Sequence, residues 1–198
     1  MNTFKSSLKT SFLLLATFTL LFGIIYPLII WSIGQLFFEQ EAKGSLLFAN
    51  EKVIGSVLIG QNFTSPSYFH GRPSAAGPHG YEATHSSGSN LGPTSKKLVD
   101  DLALRSQAFR KLNRLSEDTP LPADAITASA SGLDPHISLA NALLQASRIA
   151  TFRGISEESI RNLILEHVET TSWWLPGADH VNVLILNLAL DSRSTLRN

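Results

Sequence analysis

Between Thr10 and Phe38 the chain carries no Asp, Glu, Lys, Arg or His. This stretch of about 29 residues exceeds the ~20 that an α-helix needs to cross the hydrocarbon core of a bilayer. In lipid every backbone polar group must be satisfied within its own segment, so a helix is the expected form. Gly23 and Pro27 lie inside the run, where a membrane helix tolerates them better than a soluble one. Trp31 is expected at the far interface, with Tyr26 and Pro27 a turn below. A cleaved signal peptide has a shorter apolar core and a small-x-small cleavage site, which Gln40-Glu41-Ala42-Lys43 does not provide. A buried core helix seldom runs beyond about 14 uninterrupted apolar residues. The run is therefore read as a permanent anchor. Lys5 and Lys9 precede it and Glu39 and Glu41 follow it. The positive-inside rule then places residues 1–9 in the cytoplasm, 10–38 in the membrane and 39–198 outside.

Beyond the span, roughly 160 residues remain, enough for one domain with a real core. The formal net charge is zero, and the basic residues from Arg105 to Arg114 follow Asp100 and Asp101 as one solvated helix face. This argues against a nucleic-acid partner, which needs a basic surface. There is no cysteine, which removes thiol chemistry and Cys-ligated metal sites.

Taken in order, Gly44–Gly60 holds two apolar runs around the polar Asn50-Glu51-Lys52, a hairpin signal. Gln61–Pro93 is dense in Gly, Pro, Ser, Asn and aromatics, with no period. A stretch of ~30 such residues in a domain is usually functional or disordered. Phe63, Tyr68, Phe69, Tyr81 and Leu91 give it apolar anchors, so a packed irregular segment is expected, with Arg72 pinned by Pro73 and neighbouring backbone. Thr94–Leu115 reads as an amphipathic helix on Leu98, Leu102, Phe109 and Leu112, with Asp101 and Arg105 as an i,i+4 pair. Ala123–Ser129 reads as a short strand. Asp134 and Pro135 read as the start of a helix that ends at Gly154, lined by Leu139, Leu143, Ala146 and Ala150. Ser156 caps another helix, striped by Ile160, Leu163, Ile164 and Val168. Trp173–Gly177 reads as a turn. Val181–Leu190 is nearly all apolar and reads as a buried strand with Asn182 and Asn187 on opposite faces. The sum is an α/β (α+β) domain with a mixed sheet and about three helices on one N-terminal transmembrane helix.

The search for chemistry finds no catalytic constellation. The six histidines show neither an i,i+4 helical pair nor a Cys partner, so no metal site is assigned. His79 and His85 share one loop. Ser74 or Ser131 with His136 and Asp134 evokes a hydrolase, but no GxSxG elbow accompanies them. Ser86-Ser87-Gly88-Ser89-Asn90 offers backbone N–H groups in the manner of a phosphate nest, without a Walker lysine. Gly23 and Gly34 suit close helix approach, and Pro27 a kink.

Several unusual strings are then recognisable in order: IYPLI at Ile25–Ile29, GSVLIGQNF at Gly55–Phe63, YFHGRPSA at Tyr68–Ala75, SGSNLGPTS at Ser87–Ser95, ASASGLDPHIS at Ala128–Ser138 and VNVLILNLALD at Val181–Asp191. Through them the chain resembles the KdpC family, the single-span subunits of the Kdp potassium-pumping P-type ATPases. The resemblance implies a non-catalytic accessory subunit in the bacterial inner membrane. Its implied partners are a potassium-conducting, an ATP-hydrolysing and a small stabilising subunit. It also implies help with nucleotide binding through the serine/glycine segment, here Ser87, Gly88, Ser89 and Asn90, with Ser87 where the family usually has a second glycine. No cofactor is expected to be firmly bound, and ATP would act only at the level of the complex. The topology above conflicts with direct contact, because ATP is scarce outside the cell. The expected subunit interface comprises Gly23, Tyr26 and Pro27 in the span, then Gln61, Tyr68, Phe69, Arg72, Ser74, Asn90, Asp134 and His136. From other classes, a single-span extracytoplasmic sensor or binding module is the alternative, though the short tail before Thr10 leaves no room for a signalling domain. An anchored hydrolase lacks a nucleophile.

Overall fold

The computed structural model describes residues 2–49, 51–170 and 177–195. It divides into two units, Met1–Leu46 and Leu47–Asn198.

The first unit is helical. Helix α1 (Asn2–Leu20) runs into a π-helical turn at Leu21–Ile25, then α2 (Tyr26–Phe37) and a short α3 (Glu39–Ala42). Phe4–Phe37 is long and apolar enough to cross a membrane, and none of its most apolar window is buried within the chain. The π turn has a local cause. Pro27 has no N–H and its ring clashes with the carbonyl four residues back, which is that of Gly23. Widening the turn relieves the clash, and the Tyr26 N–H bonds the Leu21 carbonyl five residues earlier. Hydroxyls in this unit are satisfied locally: Thr10 Oγ1 donates to the Ser6 carbonyl at 3.0 Å and Ser32 Oγ to the Leu28 carbonyl at 2.8 Å. Lys43 closes the end by pairing with Glu39.

The second unit starts at the expected hairpin. Strands β1 (Leu46–Ala49) and β2 (Lys52–Ser56) pair in a two-stranded sheet, with Glu51 at φ +64° in the turn. Residues 57–95 then hold only a 3-10 turn at Ala83–His85. Helix α4 (Lys96–Asn113) matches its predicted span and half-buries Leu98, Leu102, Phe109 and Leu112, while Arg105 donates to the Ile126 carbonyl at 3.3 Å rather than to Asp101.

Four expectations are corrected downstream. Ala123–Ile126 is a helical turn (α5), not a strand, and Thr127 Oγ1 donates to the Ala123 carbonyl at 2.7 Å. Asp134-Pro135 does not start a helix. His136–Ser138 forms strand β3, and α6 (Leu139–Arg153) is capped by Ser138, whose Oγ accepts from the Asn141 N–H. The Asp134 carboxylate instead accepts the His136 N–H at 3.0 Å, an Asx turn. Val181–Leu190 is mostly helix: strand β4 is only His180–Asn182, and α8 (Val183–Thr195) follows. Asn182 caps it, its Oδ1 accepting from the Leu184 and Ile185 N–H groups at 3.1 and 3.2 Å. Lastly, there is no single mixed sheet among the described residues. β3 and β4 form a second two-stranded antiparallel sheet, with Ile137 opposite Val181, and Glu169 adds one bridge to His180. The expected Trp173–Gly177 turn falls on residues 171–176, which lie outside the described residues, and on Gly177.

Gly154 ends α6 at φ +64° as expected, and Ser156 caps α7 (Glu157–Glu166) by accepting from Ser159. The core joins Ala142, Ala146 and Ile149 of α6 to Ile160, Leu163 and Ile164 of α7, Leu186 and Leu190 of α8, and Ile137, Val181 and Phe69. The alanines on α6 let α7 pack closely. Each buried Ile or Leu contributes about 1.5–3 kcal/mol of transfer free energy.

Candidate functional site

The irregular segment Gln61–Pro93 owes its order to side-chain amides standing in for neighbouring strands. Asn187 on α8 grips Phe69 from both ends: the Phe69 N–H donates to Oδ1 at 2.8 Å and Nδ2 donates to the Phe69 carbonyl at 3.0 Å. Gln145 on α6 does the same to His70, at 2.8 and 3.0 Å. Arg148, one turn on, donates Nε to Asn113 Oδ1 at 2.8 Å, Nη2 to Gln145 Oε1 at 2.8 Å and Nη1 to the carbonyls of Tyr68 (3.0 Å) and Pro66. Burial pulls its guanidinium down to about 10, so it stays charged at neutral pH with every donor nitrogen bonded. Burial also lowers His70, whose Nε2 lies 2.9 Å from the Ser65 carbonyl. Because these partners sit 75 to 118 residues away in sequence, no local pattern announces them.

Around this spine the other expected interface residues have defined places. Phe69 is fully buried in the core, so its ring is not presented to a partner. Tyr68 donates its hydroxyl to Asp191 Oδ2 at 2.9 Å while the Arg153 guanidinium lies 4.7 Å from its ring centre. Gln61 Nε2 donates to the Ile54 carbonyl at 2.8 Å. Arg72 is held by a side chain rather than by Pro73: its Nη1 donates to Asp134 Oδ2 at 2.9 Å and Nη2 to Thr127 Oγ1 at 3.4 Å. Its buried Nε has no partner among the described residues. Tyr81 completes this centre, donating to the Arg72 carbonyl at 2.7 Å. Burial, with the Asp134 carboxylate nearby, pushes the phenol up to about 12. The packing is close enough that a Cβ at Gly60 would stand 2.5 Å from the Asp134 carbonyl oxygen. A cleft of about 700 Å³ opens beside this centre, between Phe63, Arg72, Pro78 and Tyr81 of the segment and Arg105 and Phe109 of α4.

The imagined hydrolase does not assemble. Ser74 Oγ donates to the Gly132 carbonyl at 2.7 Å, and Ser131 Oγ accepts from the Leu133 N–H at 3.1 Å. Neither hydroxyl is aimed at an imidazole. The serine/glycine segment is docked rather than presented at a helix start: Ser86 Oγ donates to the Ser131 carbonyl and Ser87 Oγ to the Ala75 carbonyl. A Cβ at Gly88 would lie 2.9 Å from the Ala130 carbonyl oxygen. Ser87, Ser89 and Asn90 are exposed, Asn90 at φ +52°, and α4 begins only at Lys96. In the span, a Cβ at Gly23 would meet only Thr19 Cγ2, at 3.7 Å, so nothing among the described residues requires that glycine. Tyr26 is exposed.

One grouping has no counterpart in the sequence reading. His136, His180 and Glu169 come together on one sheet face. The two histidines are far apart in sequence and fall on different short strands, so no spacing rule links them. His79 and His85 give no such cluster, and His85 turns to Glu82 at 3.3 Å.

Compared with known proteins, residues 8–192 match the KdpC family, described as K+-transporting ATPase, c chain. Curated relatives named potassium-transporting ATPase KdpC subunit include one from Mycobacterium tuberculosis H37Rv, 50% identical over 187 residues, covering 94% of this chain and 98% of the relative. Others are from Koribacter versatilis, 48% identical with 94% and 95% covered, and Methylococcus capsulatus, 46% identical with 93% and 96% covered.

Proposed function

The chain belongs to the KdpC family of K+-transporting ATPase c chains, and on that premise we propose that it stabilises a potassium pump by contact alone. The apolar helix Phe4–Phe37 lies in the bacterial inner membrane with its N-terminus in the cytoplasm, and the second unit stands outside. The helix meets a membrane-spanning neighbour, with Gly23 permitting close approach near the π turn at Pro27. The second unit rests on the outer mouth of the potassium-conducting subunit. Its contact face is the irregular segment with Arg72 and the cleft between Pro78 and α4. The ATP-hydrolysing and small stabilising subunits are held through the assembly.

The observation that carries this reading is the long-range amide clamp on Phe69 and His70. Buried amides and a buried arginine fix a loop-like surface rigidly, with no nucleophile or base among them. Pre-ordered surfaces of this kind gain affinity by avoiding the entropy cost of ordering at binding. Any influence on ATP use passes through the assembled complex, with Ser87–Asn90 outside the cell. Supporting the orientation are Lys5 and Lys9 before the span and Glu39 and Glu41 after it.

The test is Arg72→Ala in the intact complex. Co-purification of the pump subunits should fall several-fold while the variant's melting temperature in detergent moves only slightly. Undiminished co-purification would refute the assignment of this face. Orientation is checked separately by fusing to Asn198 a reporter enzyme that is active only outside the cytoplasm. Activity is expected, and a silent fusion contradicts the placement.

A further inference from the structure

We infer that His136, Glu169 and His180 form a binding site for one divalent transition-metal cation of the zinc class. One ligand atom from each residue lies within 4.8 Å of the other two. The sheet builds this convergence. The backbones of Glu169 and His180 are bonded to each other in both directions, at 2.8 and 3.2 Å. His180 also pairs with Ser138 on β3, which puts His136, two residues earlier, diagonally across from it on the same face. The imidazole rings meet edge to face with centroids 4.9 Å apart.

The tautomer favours a metal. His180 Nδ1 is 3.0 Å from the Ala178 carbonyl oxygen. A carbonyl only accepts, so in the neutral ring Nδ1 carries the hydrogen and the lone pair sits on Nε2. That Nε2 is 3.8 Å from Glu169 Oε2, so two electron-rich atoms face each other. An imidazole that spends one nitrogen on a backbone carbonyl and offers the other is the usual arrangement around protein-bound zinc. His136 Nδ1 stands 3.8 Å from Asp134 Oδ1, beyond hydrogen-bond reach, so the carboxylate adds negative charge beside the ring without fixing its tautomer. Asp179 lines the adjoining cleft of about 340 Å³ and adds negative charge. Two imidazoles and one carboxylate form a donor set that zinc accepts, leaving a fourth position for water. Tetrahedral coordination at ~2.0–2.1 Å per bond puts donor atoms roughly 3.3 Å apart, closer than they stand here by up to about 1.5 Å, a side-chain adjustment on the half-exposed face of the sheet. The bound ion would tie Glu169 to the β3–β4 pair.

The experiment uses the full chain in detergent, stripped with a chelator, then titrated with Zn2+ against a competing metallochromic dye at pH 7.5. One ion per chain is expected, with an affinity reduced at least about tenfold in His180→Ala and in Glu169→Gln, and unchanged in His85→Ala. Titration of the unmutated chain with Co2+ provides a readout that needs no variant. A bound ion of low coordination number gives intense visible bands. The inference is overturned if no saturable binding occurs, if His180→Ala binds as tightly as the parent, or if bound Co2+ keeps the weak spectrum of the hydrated ion.

Discussion

Two regions of this chain are mirror images in how they are held. The helix Phe4–Phe37 carries its hydrogen bonds within itself, interrupted only at the π turn before Pro27, and none of its most apolar window is buried among the described residues. The segment Gln61–Pro93 has almost no internal ladder, yet partners from α6 and α8 grip its backbone. The helix is specified locally and awaits its surroundings. The segment is specified by distant residues and arrives already ordered. A subunit that works by contact can use both: one region adapts to lipid and neighbouring helices, and the other presents a fixed face.

Substitutions can break this contrast, beginning where most is at stake. Arg148→Ala removes a buried cation and strands several carbonyl and amide acceptors, and is expected to cost about 4 kcal/mol of unfolding free energy in denaturant titrations of the full chain. Asn187→Ala leaves the N–H and C=O of Phe69 without partners in the core, for a loss of about 3 kcal/mol. If either variant unfolds like the parent, the clamp is not what orders the segment. A smaller effect is expected from pH. Burial lowers His70 in the folded chain below the ~6.5 of an unfolded histidine. The unfolded state then binds more protons, so stability is full above ~6.5 and declines as pH falls towards the folded value. The melting temperature should drop on acidification from pH 7 to 5, and His70→Gln should flatten that slope. Least of all, Gly23→Ala should leave unfolding unchanged, since its new Cβ meets only Thr19 Cγ2 at 3.7 Å. Any loss should show only as weaker assembly.

The same contrast explains what the sequence disclosed. The span, the hairpin, α4, α7 and the Gly154 terminus follow from period, caps and composition, all local quantities. Val181–Leu190 misled because ten nearly continuous apolar residues carry no period. The signal that decides it is Asn182 as a cap, which the alternation reading spent as a strand position. Asp134-Pro135 misled because Asp134 has a stronger use, accepting from Arg72 and from the His136 backbone. The packed character of Gln61–Pro93 was legible from its aromatics. The clamp was not, since Asn187 and Gln145 are ordinary amides on helices until the fold brings them to Phe69 and His70.

The account stands or falls on whether the fixed face touches the pump outside the cell. The chain has no cysteine, so a single one can be placed at will. Thr64→Cys, exposed beside the cleft, and Glu158→Cys, exposed on α7, can each carry a short photocrosslinker attached to intact cells with a membrane-impermeant reagent. The account predicts that Thr64→Cys is labelled and crosslinks to the potassium-conducting subunit while Glu158→Cys is labelled and does not. Crosslinking from Glu158→Cys alone, or no labelling at either position without breaking the cells, would contradict it.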